Sequence, residues 1–262
     1  MKDERKFRHN YHTHTYLCHH ASGTIRDYVE AAVRGGMETL GFSCHAPYPF
    51  GDRFHSWYRM TPDEMNIYVS EILSLRDEFA DRIDIKLGYE AEYYPALFNE
   101  LLAEIMKYPC DYIILGQHFY NNEYDGNYAG NRVDDIRSVK AYARILCEGM
   151  KTGLYTYVAH PDLNSYSGDV EEYVDAMSRV FEVSLETDTP LEINLLGIRD
   201  GRSYPKDEFW RRAGQYGVKV VFGSDAHDAD CLSGDKDFRK AIEMVDKYGL
   251  NYVENVKLRK IK

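Results

Sequence analysis

The sequence predicts an α/β fold on a mostly parallel sheet, closed or nearly closed into a barrel. Three observations carry this. A chain of 262 residues can bury one large core and suits a single α/β barrel over residues 1–262. Seven short apolar, β-rich runs alternate with amphipathic helical stretches. Residue types that bind metal recur at the C-terminal ends of these runs, where parallel barrels assemble their active sites.

The runs are, in order, "FRHNYHTH", "TLGFSCHA", "IDIKLGYEAEYY", "DYIILGQHFY", "LYTYVAHPDL", "PLEINLLGI" and "VKVVFGSDAH". The second helix opens at Thr61-Pro62-Asp63-Glu64: Thr61 can cap, Pro62 suits the first helical position, and Glu64 completes a capping box. Ile136, Val139, Ala143 and Leu146 recur at helical spacing, as do Val170, Val174, Met177 and Phe181, so each segment offers one apolar stripe to the sheet. "NNEYDGNYAGNRVDD", directly after the fourth run, is the most loop-like stretch, and "LNYVENV" adds a last strand. No linker, repeat or shift of composition marks a domain boundary.

Composition narrows the function. Apolar residues make up 44% and charged residues 29%, too mixed for disorder. No apolar run approaches the roughly 20 residues that span a bilayer, and "MKDERKFRHN" lacks the apolar core of a secretion signal, so a cytoplasmic protein without a membrane partner is expected. The net charge of −11 and the lack of a Lys/Arg patch argue against nucleic acid. A small phosphorylated substrate stays compatible, because clustered divalent cations reverse the local field. The 5 cysteines are odd in number and without a CxxC pair, which argues against disulfides and zinc fingers.

Five of the 10 histidines crowd into "HNYHTHTYLCHH". Neutral rings each need a donor and an acceptor, and charged rings repel, so dense stacking for packing alone is unfavourable. On an extended strand His12 and His14 share a face, and Asp225 and His227 repeat that spacing near the other end of the chain. His45, Glu90, His118 and His160 each stand at the end of a run, and His20 closes the first cluster. Singly, His118 or His160 would be an ordinary core histidine and Asp225 a helix cap. Together they make one constellation, with more ligands than one ion needs, so two or three divalent transition-metal ions (Zn, Fe or Mn) are expected. His9 and His55 read as strand and loop residues, His19 could share an ion with His20, and Cys44 is expected to pack rather than ligate.

"HTHTYLCHH", "GFSCHAP", "GYEAEY", "GQHFY", "VAHPDL" and "GSDAH", in this order, resemble the metal-binding motifs of the polymerase and histidinol phosphatase (PHP) family over nearly the whole chain. The "C-x-H" after the first HxH, the "HAP" and the "EINLLGIR" segment resemble its histidinol-phosphate phosphatase branch. The resemblance implies a distorted TIM-like (β/α)7 barrel with a trinuclear centre at the strand ends and hydrolysis of L-histidinol phosphate to L-histidinol and phosphate. It implies His12, His14, Glu90 and Asp225 at one ion; Glu90, His118 and His160 at a second; and His20, His45 and His227 at the third. Asn10 stands where members often carry Asp, so an amide replaces the carboxylate expected behind His12.

In that chemistry the ions acidify a water and neutralise the phosphate. Arg199, after "EINLLGI", is the expected phosphate clamp, Arg202 and Arg53 are further substrate-binding candidates, and Asp225 or a metal-bound water protonates the leaving alkoxide. The aromatic and acidic stretches "YPFGDRFHSWYRM" and "NNEYDGNYAGN" would set selectivity. The competing readings are a PHP phosphatase of phosphotyrosine or a sugar phosphate, and an amidohydrolase-type C–N hydrolase. The latter typically uses a strand-four lysine, where this chain has Gln117-His118.

Overall fold

The computed structural model describes residues 5–51, 54–124 and 126–261. Strands and helices alternate: β1 (His9–Asn10), α1 (Ile25–Arg34), β2 (Thr39–Phe42), α2 (Met65–Glu78), β3 (Asp84–Ala91), α3 (Phe98–Ile105), β4 (Tyr112–Leu115), β5 (Arg132–Val133), α4 (Ile136–Lys151), β6 (Tyr155–Val158), β7 (Ser165–Tyr166), α5 (Val170–Thr187), β8 (Leu191–Asn194), α6 (Leu195–Asp200), α7 (Asp207–Tyr216), β9 (Lys219–Gly223), α8 (Lys236–Tyr248) and β10 (Asn251–Tyr252). Each of the seven runs contains one strand of the main sheet, whose order is β1-β2-β3-β4-β6-β8-β9-β10 with every pairing parallel. A parallel bridge between Thr13, beyond β1, and Ala226, beyond β9, joins the two ends, with His14 N–H donating to Ala226 O at 2.9 Å. The result is a distorted TIM-like barrel closed at its C-terminal mouth by this bridge, while at the opposite end β10 pairs with the start of β9.

Side-chain alternation along the strands separates two apolar groups. Ile113, Leu115, Val220 and Phe222 face the helices, each burial of this kind contributing about 1.5–3 kcal/mol. Tyr11, Tyr112, Ile114, Tyr157, Ala159 and Val221 form a second buried group. There the Tyr112 hydroxyl lies between the carbonyls of Tyr11 (2.8 Å) and Phe42 (3.1 Å), and Val253, Val256 and Leu258 of the tail pack against the group.

Helix starts follow local chemistry. Thr24 and Asp27 form a capping box at α1, Thr61 and Glu64 form one before α2, and Asp169 caps α5. Three expectations are corrected. "PLEINLLGI" is a strand only to Asn194, because the Asn194 side chain accepts from Gly197 N–H at 3.0 Å and caps α6. Val170 lies in the uncovered first turn of α5, 50% exposed, so its apolar stripe begins at Tyr173. The stretch from 121 to 135 holds β5, paired with β7. No helix among the described residues is long and apolar enough to cross a membrane.

Candidate metal centre

Every barrel strand delivers a polar side chain to one mouth. His12 and His14 alternate beyond β1, held by the bonds of Thr13 and His14 to neighbouring strand ends. Glu90 ends β3 in a bridge with His45, which follows β2. His118 follows β4, and Gly116 ahead of it must lack a side chain because a Cβ there would collide with the Glu90 carboxylate. His160, after β6, and Asp225, after β9, adopt left-handed backbone with φ of 33° and 47°. Non-glycine residues hold this conformation at a cost of about 1–3 kcal/mol, as is typical of functional sites. His19 is also left-handed, φ 64°, and that turn sends it outward, 3.8 Å from Glu64, while His20 turns inward.

These side chains converge. His14 Nε2 lies 3.1 Å from Asp225 Oδ1 and 3.5 Å from Glu90 Oε2; His12 Nε2 lies 3.5 Å from each carboxylate. Glu90 Oε1 faces His160 Nε2 at 2.8 Å and His118 Nε2 at 3.6 Å, and Glu90 Oε2 faces His45 Nδ1 at 3.0 Å. His20 and His227 meet Nε2 to Nε2 at 2.9 Å. Cys18 and Cys44 pack beneath this layer, their sulfurs within 4.8 Å of a His14 nitrogen. His9 instead bonds Thr39 at 3.0 Å, and His55 is exposed.

The donor set fits divalent ions. Nδ1–H donates to Glu192 from His12 (2.8 Å), to Glu92 from His118 (3.1 Å), to Cys18 O from His20 (2.6 Å) and to Asp225 O from His227 (3.2 Å). These partners select the tautomer and leave each Nε2 a lone pair. Two such lone pairs then face each other between His20 and His227, an arrangement that a cation resolves. Glu90 Oε2 and Asp225 Oδ1 are buried without a hydrogen-bond donor, as are the Nδ1 atoms of His14, His45 and His160. Burial opposes ionisation of Glu90, yet the imidazoles of His118, His12 and His45 hold it well below the usual carboxylate range. Burial and the charge of His14 push His227 down to about 3. Against burial, Glu192 and Asp225 hold His12 well above the usual imidazole range and Asp225 raises His14 to about 9, so a bound cation would displace protons from these rings.

The groups behind the candidate ligands are not announced by the histidine pattern. Glu192, fully buried on β8, accepts from the His12 ring and from His160 N–H at 3.0 Å. It supplies the carboxylate that Asn10 was expected to withhold; Asn10 instead ties backbone, accepting from Ser224 N–H at 2.9 Å and from His12 N–H at 3.2 Å. The available signal was an acid inside an apolar strand. Asn194, besides capping α6, donates to Asp225 Oδ2 at 3.1 Å and to Glu192 Oε2 at 3.0 Å. Glu92 is engaged by buried Arg59 at 2.8 Å, which also pairs with Glu123 at 2.8 Å. Glu192→Gln is expected to weaken metal retention by about 10–100-fold with folding preserved. Titration of the variant with a competing chelator checks this, and wild-type retention would return Glu192 to a purely structural part.

Above the cluster opens a cavity of about 800 Å³, with Glu90, His118, His160 and Asp225 among its lining. Phe54, Trp57 and Tyr58 come from one predicted selectivity stretch, Glu123 and Tyr128 from the other. Arg202 lines it too, bonded to Asp200 at 3.2 Å. Arg199 is not brought to the cavity: it lies within α6 rather than at a strand end, donating to Ser224 O at 3.4 Å and facing Asp237 at 3.5 Å. Arg53 lies outside the described residues.

A probable histidinol-phosphatase of Deinococcus radiodurans is 29% identical over 228 residues, covering 82% of this chain and 85% of the relative. The histidinol-phosphatase of Bacillus subtilis is 27% identical over 248 residues, covering 83% and 92%. The crystal structure of histidinol phosphate phosphatase from Lactococcus lactis, complexed with zinc, L-histidinol and phosphate, superposes with a TM-score of 0.74 over 97% of this chain and 100% of that one; at 19% identity this is a likeness of fold. Residues 10–195, from β1 into α6, match the PHP domain and include most of the converging ligand set, and the chain belongs to the PHP domain family.

Proposed function

We propose that the protein is a metal-dependent phosphomonoesterase that hydrolyses L-histidinol phosphate to L-histidinol and inorganic phosphate, a step of histidine biosynthesis. The observation that carries this reading is the convergence of histidines from successive strand ends on Glu90 and Asp225, at the floor of an aromatic-walled cavity that Arg202 lines. The substrate comes from the relatives, named histidinol-phosphatases. Spacing supports the division of ligands that the family pattern implies: His12, His14, Glu90 and Asp225 for one ion, Glu90, His118 and His160 for a second, and His20 with His227 and the neighbouring His45 for a third. Zinc, iron and manganese all accept imidazole and carboxylate.

Divalent ions bound there supply Lewis acidity toward the phosphoryl oxygens and a water acidified toward neutral pH. The chain supplies the positioning. Glu192 and Glu92 fix the rings of His12 and His118, and Asn194 fixes the Asp225 carboxylate. Arg202 places a permanent cation where phosphoryl oxygens would lie, and takes the role that the sequence reading gave first to Arg199. Phe54, Trp57 and Phe119 offer apolar faces to an imidazole, and Glu123 a carboxylate to an amine.

Arg202→Ala is expected to lower kcat/KM by roughly 1.5–3 kcal/mol, the scale of a hydrogen bond to a charged group. Steady-state kinetics decide, and wild-type values would remove Arg202 from phosphate binding. The function itself is tested by phosphate release from L-histidinol phosphate before and after metal removal. Activity should vanish with chelation and return with zinc or manganese, and full activity of metal-free protein would overturn the proposal.

A further inference from the structure

Hydrolysis of an alkyl phosphate needs a proton for the departing alkoxide, and the cavity's acids and hydroxyls are unequally free to give one. Asp225, the first candidate from sequence, has both oxygens turned to other tasks: Oδ2 accepts from Asn194 at 3.1 Å, and Oδ1 faces His14 at 3.1 Å, His227 at 3.4 Å and His12 at 3.5 Å. The Tyr58 hydroxyl donates to Glu92 at 3.0 Å. Glu123 is paired with Arg59, and Asp200 with Arg202.

Tyr204 differs. It lines the cavity, its ring 5.9 Å from that of His160, and its hydroxyl lies 3.3 Å from Arg202 Nη1. A guanidinium can only donate, so the phenol oxygen accepts and its own proton is uncommitted. The ring is held against α6 at Gly197, where a Cβ would collide with the Tyr204 ring and carbonyl. We propose that Tyr204 is the catalytic acid, its hydroxyl contacting the ester oxygen beside the phosphate that Arg202 holds. This rests on the phosphomonoesterase reading above.

The step balances without another reactant. Water oxygen bonds to phosphorus, the P–O ester bond breaks with its electron pair going to the ester oxygen, and the Tyr204 proton joins that oxygen to release the alcohol. The phenolate, stabilised by the Arg202 N–H, recovers the proton lost by the attacking water.

The test compares the wild type with Tyr204→Phe on two substrates, L-histidinol phosphate and 4-nitrophenyl phosphate, whose nitrophenolate leaves without protonation. Metal content and inorganic-phosphate affinity by calorimetry are measured on the same preparations. The variant should lose on the order of 100-fold in kcat on the alkyl ester. It should change by less than about 3-fold on the aryl ester and keep wild-type metal content and phosphate affinity. Equal losses on both esters, a matching loss of phosphate affinity, or the selective loss appearing in Tyr128→Phe instead would overturn the assignment. Failure of the phosphomonoesterase reading would show separately, as a metal-loaded wild type that hydrolyses neither ester.

Discussion

Glu90→Gln is expected to reduce turnover by on the order of 1,000-fold or more while the protein stays folded. The carboxylate is the hub of the centre: Oε1 faces His160, His12 and His118 at 2.8, 3.5 and 3.6 Å, and Oε2 faces His45 and His14 at 3.0 and 3.5 Å. The amide keeps the shape but removes the charge that would let two ions lie close together, and it would turn an N–H₂ group toward ring lone pairs that a cation would otherwise take. Supporting groups alone are worth about 10–100-fold, so a shared ligand should cost more. Kinetics with metal analysis and a melting curve check this. Retained turnover in a folded variant would move the bridge elsewhere. Glu92, on the same face of the strand, is closed to that role by Arg59, Tyr58 and His118.

Arg59→Ala is the substitution expected to damage stability most. Arg59 is 1% exposed and donates from Nε to Glu123, from Nη1 to Ala46 O and Glu92, and from Nη2 to Glu92 and Tyr58. Removing it leaves two buried carboxylates without their cation, a situation that costs about 3–5 kcal/mol. For a chain of this size that corresponds to a fall in Tm on the order of 10 °C. It should also slow turnover, since Glu92 would no longer hold the His118 ring at a fixed angle. An unfolding free energy from denaturant titration within about 0.5 kcal/mol of wild type would show that the carboxylates find other partners and that the buried network adds little.

Period and punctuation were enough to place the seven barrel strands, because each is short, apolar and bounded by turn residues. They also locate the candidate ligands, because strand ends can be read from where apolar alternation stops. The failures have local causes. Arg199 was assigned to a strand end because "EINLLGI" reads as one β-rich run, yet one Asn194 side chain caps a helix there and carries the arginine away. Glu192 and Arg59 were overlooked because burial of a charge depends on partners distant in sequence: Glu192 meets a histidine 180 positions earlier, and Arg59 meets Glu123, 64 positions later. The bridge of Thr13 to Ala226 that closes the barrel is likewise a long-range event that no local pattern announces.

This cavity suits a phosphomonoester whose organic half carries an imidazole and an amine. Its aromatic wall of Phe54, Trp57, Tyr58 and Phe119 would also accept a tyrosyl ring, so substrate comparison is the most direct test. The measurement is kcat/KM for L-histidinol phosphate, phosphotyrosine and glycerol phosphate with one preparation, one pH and one metal loading. At least a roughly 10-fold preference for L-histidinol phosphate is expected, the equivalent of about 1.4 kcal/mol in transition-state binding. Phosphotyrosine hydrolysed as efficiently as L-histidinol phosphate would contradict it.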